Sequence, residues 1–119
     1  MESSFTIGGH MEIKNISIAN DFSKVPAGRF YNDGPYSGEK FRKEFLVEPL
    51  RDRNVEKIII NLNGLCGVGS SFWDEAFVSL ITEDGFSYDE VTAKIEFTCS
   101  DDDTLIPLLK GYLKEAKNV

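Results

Sequence analysis

Side chains able to do chemistry concentrate in one short stretch, Gly64-Leu65-Cys66-Gly67-Val68-Gly69-Ser70-Ser71-Phe72-Trp73-Asp74-Glu75. It holds a thiol, two adjacent hydroxyls and two adjacent carboxylates. Its three glycines permit positive φ and close approach of another backbone. Ser71 and Asp74 fit the S-x-x-[DE] capping pattern, in which the hydroxyl accepts from an orphan helix N–H and the acid binds back. A helix N-terminus with hydroxyls also suits an anion, with Ser70 and Ser71 as ligands and Arg29 as the candidate counter-charge, so a domain that senses a small molecule or nucleotide through this Gly-rich turn is an alternative reading. Catalysis is harder to assemble. The single histidine, His10, lies close to the N-terminus, G-x-S-x-G is absent, and no lysine stands where a phosphate-binding loop needs it. No catalytic residue is assigned. The acids Asp74/Glu75 and Asp101–Asp103 fall at expected helix starts, where the helix dipole favours negative charge without a metal. Cys66 and Cys99 form no CxxC pair and have no histidine or other thiol near them, which fits reduced, buried thiols and neither a disulfide framework nor a zinc site. The expectation is no metal and no cofactor.

The elements that position this stretch follow from periodicity. Lys57–Leu62 is a β-branched run expected as a central strand covered on both faces and paired in parallel. Residues 71–82 are apolar nearly all round, as in a largely buried helix. Upstream, Phe41, Phe45, Leu46 and Leu50 mark a surface helix from Glu39 to Arg51, interrupted at Pro49. Its bases Lys40, Arg42 and Lys43, with Arg51, Arg53 and Lys57 beyond, alternate with acids and read as a solvated face. Val91, Ala93, Ile95 and Phe97 alternate, predicting a strand over Val91–Thr98. An Asp101–Thr104 cap leads into a clean stripe, Leu105, Leu108, Leu109, Tyr112, Leu113 and Ala116, with Pro107 in the first turn. Near the N-terminus, Phe5/Ile7 and Ile13/Ile16/Ile18 suggest a strand or hairpin with a bulge between Ile13 and Ile16, and Gly28–Tyr31 is long enough for a short strand. The order is β-β-α-β-α-β-α, an α/β fold with helices on one face of a central sheet.

With 119 residues, 41% of them hydrophobic and 28% charged, the chain fits one globular domain. Residues 1–10 read as an N-terminal extension, Gly8-Gly9-His10-Met11 resembling a cloning scar, and 11–119 as the domain. No apolar run approaches a membrane span and MESSFTIGGH lacks the features of a signal peptide, so a soluble, cytoplasmic protein is expected. Residues 1–73 carry nine acids and nine bases, whereas 74–119 carry eleven acids and four bases, the whole net charge of −7. That field repels polyanions, and nucleic acid is not an expected partner.

GEKFRKEFLVEPLRDRNVEKIIINLNGLCGVGSSFWDEAFVSLI, with the Ile95–Thr98 strand and the closing GYLKEA helix, resembles the STAS-like domain family of unknown function over roughly residues 28–116. The element GSSFWDEAF is the most specific part. That family is similar to the STAS domains of bacterial anti-sigma factor antagonists. The resemblance implies a non-enzymatic regulatory domain that binds a protein partner, a histidine-kinase-like ATPase, through the Gly67–Phe72 turn and the helix after it. Partner contacts would then involve Gly67, Gly69, Ser70, Ser71, Phe72, Asp74 and Glu75. It further implies a phosphoacceptor at Ser71, with Ser70 beside it. Gly69 stands where the antagonists have Asp, and Phe72 where they have Gly.

Overall fold

A computed structural model describes residues 11–117. Strand β1 (Glu12–Ser17), β2 (Val55–Asn61) and β3 (Ile95–Thr98) form one sheet in the order β1-β2-β3, parallel throughout. Helix α1 spans 38–51 as three runs, Gly38–Phe41, Arg42–Leu46 and Val47–Arg51, the middle one a wide π-type turn. Helix α2 spans 70–82 in the same manner, with a wide middle run at Asp74–Val78. Helix α3 (Tyr88–Lys94) leads directly into β3, and α4 (Leu105–Ala116) closes the chain. The described order is therefore β-α-β-α-α-β-α. The expected pairing partner at Phe5/Ile7 lies outside the described residues.

The mixed α/β class and the parallel pairing stand, but several local expectations do not. Gly28–Tyr31 is no strand: the chain bends there and makes a 3₁₀ turn at Tyr31–Asp33, because the Asp33 carboxylate accepts from the Arg29 and Phe30 N–H groups. Val91–Lys94 is helical. Ser87 and Glu90 form a reciprocal capping box that starts α3, and this local signal prevails over the two-residue alternation. The strand shrinks to Ile95–Thr98. The β1 register slips between Glu12 and Ile13, not between Ile13 and Ile16, so Ile13 points away from the core and is exposed. Helix α1 runs through Pro49, since the wide turn ends at Leu46 and the proline falls in the first turn of the last run, where a missing N–H is tolerated.

Among the described residues the sheet is covered on one face only. Ile58 and Ile60 of β2 and Leu62 just after it are sealed in the core, while Ile59 is half-buried on the opposite side, against the expectation of cover on both faces. The helices fill the covered side with aromatics. Phe41 stacks on Phe45 at 5.1 Å and meets Phe22, Phe72 and Phe77, with Trp73 stacked on Phe77. Each such pair adds to the burial of its large apolar area.

The two long helices approach closest at their N-terminal ends. A Cβ at Gly38 would lie 2.6 Å from the Phe72 carbonyl oxygen and 2.9 Å from the Glu75 Cβ. Only glycine fits. Replacing it forces α1 and α2 apart, so Gly38→Ala is expected to cost about 1–3 kcal/mol, in the range of overpacked cores. Urea unfolding of the two proteins measures this, and equal midpoints would contradict the packing.

Candidate functional site

The stretch singled out by its chemistry lies at the carboxyl ends of the strands, the edge where α/β sheets hold their functional crevices. Its root is tied down. Asp101, just beyond β3, accepts from the Gly64 N–H at 2.9 Å, and the Asn63 carboxamide accepts from the Ser100 and Asp101 N–H groups. The Cys66 N–H donates to the Lys24 carbonyl at 3.0 Å, joining the turn to the loop after β1. Gly64 and Gly67 take positive φ, 85° and 59°, whereas Gly69 is extended and caps α2.

Ser70 and Ser71 are exposed in the first turn of α2. The expected Ser71–Asp74 capping box is absent: the helix begins two residues earlier than that pattern requires, and its cap, Gly69, has no side chain to offer. Gly67 and Gly69 are exposed as well. Phe72 is fully enclosed in the aromatic core and Glu75 is 5% exposed, so these two support the turn from beneath and offer no surface to a partner. Cys66, expected to be buried, is exposed because its main chain is drawn to Lys24 at the surface. Cys99 is half-buried and donates to Asp101 at 3.3 Å, and burial followed by that bond pushes its thiol above the ordinary value.

Arg29 does not face the serines as a free counter-charge. Its guanidinium binds Asp74 and lies 3.6 Å from Glu75, and the Asp74 hydrogen bond in particular raises its pKa further. The neighbouring Arg42, expected on a solvated face, is 3% exposed. It donates to Glu75 at 2.8 Å and to Asp84 at 3.0 Å, across from α1 to α2 and to the turn after it. Glu39 accepts from the Tyr31 N–H at 3.0 Å and pairs with Lys43, and the Tyr31 bond holds its carboxyl below the usual range. These groups line a polar cleft of about 540 Å³ beside α2. Its cations are already matched by carboxylates. The one sequence signal for Arg42 was its place beside Phe41, on the margin of the apolar stripe; nothing local pointed to Glu75 and Asp84.

More than half of the chain, residues 37–105, matches the family described as STAS-like domain of unknown function (DUF4325). The chain belongs to this family. No curated protein and no solved structure matches it. Among the described residues there is no cluster of metal-ligating side chains, and no helix is long and apolar enough to cross a membrane.

Two outcomes follow from these contacts. Arg42→Met strands Glu75 in the core and is expected to cost about 3 kcal/mol in urea unfolding, whereas Arg42→Met with Glu75→Leu recovers most of that loss. A double that is no better than the single contradicts the pairing. The Asp101 carboxyl is lowered chiefly by its bond to the Gly64 N–H. A lowered group contributes stability that is present above its unfolded value, about 3.9, and lost as pH falls through the lower folded value. The protection of the Gly64 amide, its exchange rate set against that of an unfolded amide at the same pH, should therefore fall on acidification below about pH 4, and Asp101→Asn should flatten that dependence; an unchanged acid limb in the variant overturns the assignment.

Proposed function

We propose that this STAS-like domain is a non-enzymatic regulatory module that binds a protein partner through the turn at 64–71 and the adjoining loop. The observation that carries the reading is a contiguous exposed strip, Cys66, Gly67, Gly69, Ser70 and Ser71, set on a rigid base. Beside it the loop after β1 presents Val25, 62% exposed, next to Lys24, whose carbonyl holds Cys66. Backbone tied at its root loses little freedom on docking, which favours affinity without reorganisation.

The resemblance to anti-sigma factor antagonists supports a histidine-kinase-like ATPase as the class of partner and Ser71, or Ser70, as a phosphoacceptor. Ser71 lies three and four residues before Asp74 and Glu75, so a phosphate there would meet those carboxylates on the same helix face. Arg29 and Arg42 already neutralise them, which reduces the repulsion a phosphate with about −1.5 to −2 charges would feel. The added charge would still disrupt a partner seated on the turn.

The test is capture from lysate of the source cells with the tagged chain, comparing the parent with Ser71→Glu and Val25→Asp. The parent is expected to retain a near-stoichiometric ATPase-like protein, and both variants, with unchanged circular dichroism, to lose it. Mass spectrometry of the peptide holding Ser70 and Ser71 reports modification. Variants that keep every protein held by the parent would sink the proposal.

A further inference from the structure

Beside β3 a second surface has features of its own. A groove of about 490 Å³ is lined by Tyr88 and Thr92 of α3, Ile95, Glu96 and Phe97 of β3, and Lys110 and Leu113 of α4. Three consecutive strand residues point alternately to opposite faces of a sheet, so a groove that touches all three runs along the strand's edge. β3 pairs only with β2 among the described residues, which leaves that edge open.

The main-chain bonding identifies which groups are free. The Leu62 N–H donates to the Thr98 carbonyl, so Thr98, and Glu96 two residues before it, turn their main-chain groups toward β2. Ile95 and Phe97 therefore turn theirs outward. The Ile95 N–H is taken by the Val91 carbonyl at the end of α3. The Ile95 carbonyl and both main-chain groups of Phe97 have no partner among the described residues. Sheet edges are commonly blunted by Lys or Pro, and Ile-Glu-Phe-Thr contains neither.

Charge narrows the occupant. Glu96 is engaged by Lys57 at 3.1 Å, so the only acid in the groove is already matched. Lys110 has no carboxylate partner among the described residues, and Lys117 lies over the Tyr88 ring at 5.1 Å, at the groove's margin. In a chain of net charge −7 this is a locally basic rim. We infer that the groove beside β3 receives an extended acidic segment of a partner protein, which adds to the sheet as a further strand. Its main chain bonds the Ile95 carbonyl and Phe97. An apolar side chain enters between Tyr88, Ile95 and Leu113, and a carboxylate meets Lys110. Strand addition draws affinity from main-chain bonds and specificity from such pockets.

The experiment uses the whole chain and three fluorescein-labelled peptides of alternating valine and threonine: one ending in three aspartates, one in three lysines, and one aspartate peptide with alternate amides N-methylated. Fluorescence anisotropy should show saturable binding of the aspartate peptide, weakened about tenfold in the lysine and N-methyl versions. Lys110→Glu should invert the preference between aspartate and lysine. The amide signals of Phe97 and its neighbours should shift in nuclear magnetic resonance spectra. No saturable binding, binding indifferent to Lys110→Glu, or shifts confined to another surface would each overturn the inference.

Discussion

A guanidinium that is almost wholly enclosed must be met by carboxylates, and Arg42 finds them on two other segments, Glu75 of α2 and Asp84 in the turn that follows it. Desolvating such charges costs more than an apolar contact of equal size unless the geometry is good. The pairing therefore acts mainly as a restriction: α1 and α2 settle where Arg42 reaches both acids, and Gly38 alone allows that approach. Arg29 extends the same restriction to the loop after β1, through Asp74 and Glu75. The candidate turn inherits its position from this arrangement, because Ser70 and Ser71 stand in the first turn of the helix that Glu75 anchors.

The sheet supplies the other half of the support. With three parallel strands, every strand end at the carboxyl edge feeds a loop, and the three loops meet there. Asn63 and Asp101 tie the loops after β2 and β3 to one another, and the Lys24 carbonyl ties the loop after β1 to Cys66. Parallel pairing places these loops side by side.

How much of this was legible in the residues depends on range. The β-branched run at Lys57–Leu62, the apolar helix of residues 71–82 and the stripe from Leu105 to Ala116 are local patterns, and each forms the element its period implies. The Val91–Thr98 region carried two local signals in conflict, alternation and an S-x-x-E capping box, and the box won because it satisfies orphan N–H groups at once. Arg42 shows the limit. A cation amid acids on a helix reads as solvated, and only partners 33 and 42 residues away reverse that. For the candidate site, the exposure of Ser70 and Ser71 was legible, while the burial of Phe72 and Glu75 was not, since both follow from which helix face meets α1.

That burial changes what kind of surface the turn is. Phe72 follows Ser71 directly, and its ring is held against Phe41 and Trp73, so the helix cannot rotate to present it. In the docking proposed above, contact falls instead on backbone and short side chains between Gly67 and Ser71, where Gly67 alone has a left-handed conformation. Such a surface recognises by shape and main-chain bonding and has few large anchors, so apolar area must come from a neighbour. Val25 is the exposed apolar side chain in the loop that Lys24 holds to the turn. A charge added at Ser71 acts on a surface with little apolar area to offset it, which is the condition under which one phosphate shifts binding most.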